Sequence, residues 1–418
     1  MPIPEESADW GPSVPDDLQI PEGRSAEPTP PILDEFAAWL GELAAGDGSD
    51  LHVKVGSPPR IRSTGRLRKL PRASLTPAET QELAQAIIPE DRKPHFLGEG
   101  EVDFAYSVSR VGRFRVNVYR QRGSVSMVLR KLRVGGPSFE EVGLPPVVEQ
   151  LSDEARGLVL VTGPTGSGKT TTLAAMIEHI NRGKPVHIVT IEDPIEVLHG
   201  DQEASIDQRE VGLDTESFLT ALRAALRQDP DVILIGEMRD TETVRAALQA
   251  AETGHLVLST LHTVDATETV NRVIDFFPPH QQNQIRLTLA GCLRGIACQR
   301  LVPTVDGSRV PVLEVMVNNG RVAERIADEE KTAEIKDVIA DSGYYGMTTF
   351  DQSLLALVVG ERVSVEDAME AASSPHDFRL LLQQAGWDTK DQDDPYPDED
   401  REGRYDSVFA QSTSEQQL

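Results

Sequence analysis

The chain has 418 residues and is strongly acidic, with 41 Lys and Arg against 68 Asp and Glu and a formal net charge of −27. This balance disfavours a general nucleic-acid-binding protein, whose surface has to be basic. The cysteines, Cys292 and Cys298, lack the paired spacing of a zinc site. We therefore expect neither zinc nor nucleic acid as a ligand.

Both ends of the chain are acidic tails. Residues 1–31 carry seven acids and one base, and residues 386–418 carry ten acids and three bases, so their net charges are −6 and −7. A composition rich in Pro, Asp, Gln or Ser and poor in apolar residues predicts disorder. We interpret both tails as solubilising segments, and the binding of a basic partner is the alternative.

The sequence shows neither a secretory signal nor a membrane-spanning segment. The first residues, MPIPEESADW, have no basic region followed by an apolar core. No stretch approaches the roughly 18 apolar residues that span a bilayer, and two isolated thiols fit a reducing compartment. We predict a cytoplasmic protein in which any role at a membrane comes through partners.

The segment from residue 32 to 133 has the pattern of a small α+β domain. Its apolar spacing predicts helices over residues 33–44 and 77–87. Its alternating segments predict strands over residues 51–55, 60–63, 102–108, 113–119 and 124–132. The Gly and Pro residues that follow predict a hinge linker over residues 134–146.

Strands and helices alternate in the next segment, residues 147–385, which predicts an α/β fold with a mostly parallel sheet. The predicted strands cover residues 158–161, 187–191, 232–235 and 256–260. Helices are predicted between them, and further helices over 279–299 and 322–384 form a helical C-terminal part. The ligand of such a sheet is expected beyond the carboxyl ends of its strands.

A complete phosphate-loop pattern, GPTGSGKT, lies between the strand at 158–161 and a predicted helix. Its glycines let main-chain N–H groups turn toward phosphates, Lys169 reaches the β- and γ-phosphates, and the Thr170 hydroxyl binds Mg²⁺. The sequence therefore predicts a site for a nucleoside triphosphate with Mg²⁺. The predicted nucleotide-binding residues are Gly163, Pro164, Thr165, Gly166, Ser167, Gly168, Lys169, Thr170 and Thr171.

Polar residues follow three other predicted strands, as phosphoryl transfer requires. Glu192 and Glu237 each end or follow an apolar run, and His262 follows the strand at 256–260. We predict that Glu192 and Glu237 are catalytic, that Glu237 joins Thr170 in positioning Mg²⁺, and that His262 senses the γ-phosphate. The alternative is a helix cap or a structural histidine, and for Asp240 capping is at least as good an interpretation.

Together with the phosphate loop, three further motifs resemble the secretion and pilus ATPase superfamily in their order and spacing. They are TIEDPIE at 190–196, LRQDPDVILIGEMRD at 226–240 and GHLVLSTLHT at 254–263. The resemblance covers residues 32–385. It implies a RecA-like ATPase domain after a PAS-like N-terminal domain, a hexameric ring of identical chains, and a platform protein of the inner membrane as partner.

Within that superfamily the chain is most similar to the retraction motors of type IV pili, the PilT branch. It lacks the four-cysteine insertion of assembly motors, and QRL at 299–301 and YGMTTFD at 345–351 resemble the retraction branch. One departure is the segment at 322–329, where Glu324 stands at the position of the first arginine of the motif AIRNLIRE. We predict pilus retraction and twitching motility, with an assembly ATPase or a divergent accessory motor as alternatives.

The resemblance also implies roles for individual residues. Glu192 would polarise the attacking water, and arginines of the PAS-like domain would neutralise charge on the γ-phosphate of a neighbouring subunit. The matching positions are Arg113, Arg115 and Arg130, of which we favour the last two. One alternative is that these arginines simply face water, with Arg113 and Arg115 on the same face of a half-buried strand. The other is that Arg239 or Arg245 serves within the chain.

Two functions of other classes compete with a pilus motor. A DNA translocase is supported only by the basic cluster between Arg60 and Arg72, which could equally bind an acidic protein. A non-catalytic scaffold is disfavoured because every catalytic residue type is present.

Overall fold

The computed structural model describes residues 31–109 and 111–387. The chain divides into two compact units: one runs to Leu301 and takes in Leu313–Thr348, and the other consists of Val302–Val312 and the chain from Thr349 onward. Apart from Pro31, Gly386 and Trp387, the two predicted tails lie outside the described residues. Among the described helices, none is long and apolar enough to cross a membrane.

The N-terminal part of the first unit contains an antiparallel sheet with three helices. Its helices are α1 (Pro31–Ala45), α2 (Pro77–Ile87) and α3 (Lys93–Glu99). Its strands are β1 (Gly48–Lys54), β2 (Arg60–Ser63), β3 (Arg66–Lys69), β4 (Glu101–Val108), β5 (Gly112–Gln121) and β6 (Ser124–Lys131). They lie in the order β3-β2-β1-β6-β5-β4.

The two-residue period of the strands decides which side chains of this sheet face the core. On β5, Phe114, Val116 and Val118 are buried in a core that also takes in α1 and α2. Arg115 lies between them in sequence and therefore faces away from that core. This face of the sheet carries the arginines that the sequence singled out.

The segment after this sheet has structure of its own. It contains β7 (Arg133–Val134), α4 (Phe139–Val142) and α5 (Pro146–Ser152). Strand β7 pairs in parallel with β10 (Val197–Leu198), which lies far away in sequence. The predicted linker at 134–146 is thus hydrogen-bonded to the rest of the first unit.

A second sheet of seven strands follows. Its strands are β8 (Gly157–Thr162), β9 (His187–Glu192), β11 (Ser205–Glu210), β12 (Val232–Ile235), β13 (Leu256–Leu261), β14 (Leu293–Pro303) and β15 (Arg309–Val317). They lie in the order β11-β9-β12-β13-β8-β14-β15, and the first six of these pair in parallel. The predicted α/β fold with a mostly parallel sheet is confirmed.

Helices connect these strands and extend the C-terminal part. Those of the sheet region are α6 (Lys169–Gly183), α7 (Phe218–Ala225), α8 (Thr241–Glu252), α9 (Ala266–Asp275) and α10 (Pro279–Cys292). Those that follow are α11 (Gly320–Ala327), α12 (Ile335–Asp341), α13 (Phe350–Val359), α14 (Val365–Ala371) and α15 (Pro375–Gln384), with 3₁₀ helices at Glu329–Glu334 and Gly343–Tyr345. The prediction of helices over 322–384 is confirmed.

The predicted helix over 279–299 is wrong beyond Cys292. The chain leaves α10 there and enters β14, which pairs with β8 inside the sheet. Most side chains of β14 are buried on both faces, so its apolar run has no alternation that would separate it from a helix. Strands β3, β11 and β15 and helix α3 were not predicted either.

Candidate active site

The glycine-rich loop lies between β8, in which every residue is buried, and the N-terminus of α6. Gly163 and Gly168 have φ angles of 140° and 92°, a region that residues with a side chain rarely adopt. A Cβ atom at Gly163 would lie 2.3 Å from the carbonyl oxygen of Gln299, and one at Gly168 would lie 2.7 Å from its Nε2. Close packing against the main chain of β14 and a positive φ angle both require glycine at position 163, and the positive φ angle favours it at position 168.

Gln299 braces this loop from the neighbouring strand. Its Nε2 donates to the carbonyl of Ser167 at 2.7 Å, and its Oε1 accepts from the Thr172 hydroxyl at 2.7 Å. The side chain is buried, so these bonds hold the amide in one orientation. The sequence places Gln299 in a motif that resembles the retraction branch, but it predicts no role for the residue. A buried polar residue inside an apolar strand was the available signal.

Lys169 folds over the loop at the start of α6. Its Nζ donates to the carbonyls of Gly163 and Pro164 at 2.8 and 3.0 Å. Burial lowers the pKa of Lys169, and the negative charge of Glu237 opposes that shift. Thr170 and Thr171 follow with exposed side chains, which leaves their hydroxyls accessible.

Glu237 lies just beyond the carboxyl end of β12 and is the centre of a charged cluster. Its carboxylate pairs with Arg239 at 2.8 Å and with His262 Nε2 at 3.2 Å. Burial by itself would raise the pKa of Glu237, but hydrogen bonding to Arg239 and the charges of Arg239 and His262 lower it overall. The structure thus brings Lys169, Glu237 and His262 together at one edge of the sheet.

Glu192 is the last residue of β9, which neighbours β12. Its Oε1 accepts hydrogen bonds from the Thr190 hydroxyl at 2.7 Å and from Gln208 Nε2 at 3.1 Å. The side chain is 9% exposed, and burial raises the pKa of its carboxyl group. A carboxylate with increased proton affinity at a strand end is suited to general-base chemistry.

Two residues near Glu237 have other contacts. Asp240 caps α8, accepting from the Thr243 main-chain N–H at 2.8 Å, so the capping interpretation is the one that the structure supports. Arg245 donates to Gln281 at 2.7 Å and stacks over Phe277. Arg239, by contrast, lies beside the site because it pairs with Glu237.

The arginines of the N-terminal sheet lie at two places. Arg115 lines a cavity of about 190 Å³ together with Asp193 and Glu210 of the same chain. Arg130, its register partner on β6, donates to the buried Asp50 at 2.9 Å. In the described part of the chain, neither arginine hydrogen-bonds to the phosphate loop. Their predicted action on a neighbouring subunit stays a prediction.

A buried strand that delivers a glycine-rich loop to the N-terminus of a helix, with acids at the neighbouring strand ends, defines a phosphate-loop nucleotide-binding protein. Residues 31–373 match the family described as Type II/IV secretion system protein. The chain belongs to this family.

The relatives of the chain include pilus motors. It is 42% identical over 349 residues to the type IV pilus ATPase PilU of Pseudomonas aeruginosa, covering 83% of this chain and 91% of that one. It is 43% identical over 344 residues to the type IV pilus retraction ATPase PilT of the same organism, covering 82% and 100%. Its fold is similar to a crystal structure of the pilus retraction motor PilT with bound ADP, with a TM-score of 0.75, 45% identity, and coverage of 83% and 98%.

Proposed function

We propose that this protein is an ATPase that couples ATP hydrolysis to the retraction of type IV pili, and so to twitching motility. The observation that carries the proposal is the cluster of Lys169, Glu237 and His262 beside a braced phosphate loop. The similarity to PilT, which extends over that relative's whole length, supports the direction of movement.

The loop residues fit a triphosphate. Positive φ angles at Gly163, Gly166 and Gly168 free the main-chain N–H groups of the loop from regular secondary structure. We infer that these groups and Lys169 hold the phosphates. The exposed hydroxyl of Thr170 and the carboxylate of Glu237 fit Mg²⁺, a hard cation that prefers oxygen ligands. Bound Mg²⁺ would neutralise charge on the transferred phosphoryl group.

Glu192 acts on the attacking water in this scheme. Its carboxylate orients the water and accepts a proton while the water oxygen bonds to the γ-phosphorus and the bond to ADP breaks. The raised pKa of Glu192, caused by burial, favours that transfer. His262, which pairs with Glu237, senses the γ-phosphate. Arg115 and Arg130 of a neighbouring subunit neutralise the negative charge that develops on the γ-phosphate.

The finer architecture also belongs to this proposal. The six-stranded antiparallel sheet with its helices acts as a PAS-like domain, and the parallel sheet as a RecA-like motor domain. Identical chains form a closed, head-to-tail hexamer. A platform protein of the inner membrane recruits the ring and transmits its motion to the pilus.

An accessory motor is the second candidate, and a specific observation favours it. Glu324 occupies an arginine position of the retraction motif, and its carboxylate pairs with Lys331 at 2.7 Å and Arg325 at 3.4 Å. The identity to PilU, 42%, is also close to that to PilT, 43%. An accessory motor would use the same ATPase site but would need a second retraction ATPase.

Gene deletion followed by counting surface pili tests the direction. Retraction predicts more surface pili and lost twitching, restored by the intact gene but not by one encoding Lys169→Ala. Loss of surface pili would instead indicate an assembly motor. A normal number of pili with weakened twitching would indicate an accessory motor. ATPase rates with and without DNA separate all three from a translocase.

A further inference from the structure

The buried carboxylate of Glu178 accepts hydrogen bonds from four donors. Glu178 lies on α6, the helix that follows the phosphate loop. Glu178 is 3% exposed and accepts from the Gly136 main-chain N–H at 3.0 Å. Its other donors are Arg182 Nε at 2.7 Å, Gln202 Nε2 at 2.8 Å and His199 Nδ1 at 3.4 Å. The mechanism proposed above does not use Glu178. Gly136 belongs to the linker, and His199 and Gln202 belong to the β10 segment, residues 197–202, which contains β10 and the loop after it. Arg182 lies one turn further along α6 and stabilises the charge of the carboxylate.

The contact with Gly136 fastens the linker to this helix. A Cβ atom at Gly136 would lie 2.3 Å from the carbonyl oxygen of Ala174 and 2.7 Å from Cβ of Glu178. The adjacent Gly135 donates its N–H to the Leu198 carbonyl at 2.7 Å, which continues the pairing of β7 with β10. The linker is therefore held on α6 and on the β10 segment at once.

The same segment leads to Glu192. The main-chain N–H of His199 donates to Gln208 Oε1 at 2.8 Å. The Nε2 of Gln208 then donates to Glu192 Oε1 at 3.1 Å and to the Val197 carbonyl at 2.9 Å. With its amide oxygen and both N–H bonds engaged, the Gln208 side chain has one orientation. A continuous path of hydrogen bonds runs from Gly136 to Glu192.

We propose that Gln208 is the residue that positions Glu192 for catalysis, and that Glu178 and His199 join this positioning to the linker. A shift of the linker moves β10 through its pairing with β7. The two main-chain groups that hold Gln208 are the Val197 carbonyl in β10 and the N–H of His199, which directly follows β10. The orientation of the Glu192 carboxylate thereby follows the linker. This inference rests on the proposed role of Glu192 as the group that acts on water.

Several charged groups surround this path. His199 stabilises the ionised form of Glu192. Glu210 is the register partner of Glu192 on β11, Asp193 is its neighbour in sequence, and Glu237 follows the adjacent strand β12. The ionised form of Glu178 is stabilised by His199 and Arg182.

Gln208→Leu in the full chain tests the positioning, with Asp207→Asn as its control. Asp207 neighbours Gln208 on β11, but its side chain contacts His187 at 3.1 Å. Gln208→Leu should lower kcat about tenfold while KM for ATP changes less than about twofold. The acid limb of its kcat–pH profile should move to higher pH, because the lost donor stabilised ionised Glu192. Asp207→Asn should change neither.

A second variant tests the connection to the linker. Glu178→Gln weakens the hold on Gly136, so it should lower kcat and move the same acid limb. Combined with Gln208→Leu it should add little, since both changes act through one carboxylate. If the decreases in kcat of the two single variants multiply in the double variant, the proposed connection between the linker and Glu192 is wrong. Thermal unfolding of each variant identifies any that fail to fold.

Glu192→Gln separates this inference from the proposed function. Near-normal turnover of Glu192→Gln would mean that the role assigned to Glu192 is wrong. Loss of turnover in Glu192→Gln, together with an unchanged kcat and pH profile in Gln208→Leu, would overturn the positioning alone.

Discussion

The side-chain amide of Gln299 donates a hydrogen bond of 2.7 Å to the main-chain carbonyl of Ser167, from β14 into the phosphate loop. The two residues are 132 positions apart in the chain. The same amide accepts from the Thr172 hydroxyl in the first turns of α6. One side chain thus sets the distance between the loop, its helix and the next strand of the sheet.

Replacing Gln299 with Leu should loosen the loop. The Ser167 carbonyl and the Thr172 hydroxyl would lose a partner, and a buried polar group without one costs roughly 1–3 kcal/mol. We expect nucleotide affinity to fall about tenfold, measured by titration with a fluorescent ATP analogue. Gln249→Leu, at an exposed position on α8, is the matched control. Unchanged affinity in Gln299→Leu would contradict the bracing role.

Substitutions of Lys169 and of Glu237 should have different effects on ATP binding and turnover. Lys169→Ala removes the cation of the loop and should abolish turnover and greatly weaken ATP binding. Glu237→Gln keeps the shape of the side chain but loses its charge, so it should bind ATP and hydrolyse it very slowly. Binding and turnover are measured on the same preparations, with the exposed Glu242→Gln as control. Near-normal turnover in Glu237→Gln would show that the role of this strand end is wrongly assigned.

Glu178 should make stability depend on pH. Hydrogen bonds from His199, Gln202 and Gly136 outweigh the effect of burial and lower the pKa of Glu178 from 4.5 to about 2. The unfolded chain therefore binds this proton at a higher pH than the folded chain does. The stabilisation, on the order of 3 kcal/mol, is present above pH 4.5 and is lost as the pH falls toward 2.

Urea unfolding of the parent and of Glu178→Gln at several pH values checks this expectation. The difference in unfolding free energy between them should be largest near pH 7 and should shrink as the pH drops below 4.5. A difference that stays constant with pH would show that the charge of Glu178 does not contribute.

A mixing experiment tests whether the arginines act between subunits. Arg130→Ala, with a sound phosphate loop, is combined with Lys169→Ala, which keeps its arginines. Neither should be active alone, but a mixed ring contains interfaces with one sound loop and one sound arginine, so activity should partly return. Arg115→Ala is tested in the same way, because Arg115 lines a cavity beside Asp193 of its own chain.

Asp50→Asn is the control for the arginine experiment, because it breaks the pair between Asp50 and Arg130 without removing the arginine. It should keep turnover if the arginine acts on nucleotide, and lose it if the pair only supports the fold. Rings that are shown to be mixed but recover no activity would assign the arginine to its own chain or to folding.

Removal of the two acidic tails, residues 1–31 and 386–418, should leave oligomer assembly and ATPase activity within a few-fold of the parent. Neither segment holds a motif, and their charges suit solvation more than packing. Size-exclusion chromatography and steady-state rates of the single and double deletions check this. Loss of the oligomer in either single deletion would identify a tail that the assembly needs.

The features that are local in the chain can be predicted from the sequence. The phosphate loop is contiguous, so its glycines, Lys169 and Thr170 were readable from spacing alone. Glu192, Glu237 and His262 were placed correctly at or just after strand ends because short apolar runs mark parallel strands. The alternation of β5 likewise predicted that Arg113 and Arg115 share a face.

Contacts between distant segments of the chain could not be predicted from the sequence and are seen only in the folded structure. Gln299 and Gln208 reach Ser167 and Glu192 through single hydrogen bonds, and a single contact leaves no periodicity in a sequence. Strand β14 was taken for helix because both of its faces are buried, which removes the alternation that marks a strand. The order of the strands, which places β14 against the phosphate loop and β11 against Glu192, comes from packing between segments that the chain itself keeps far apart.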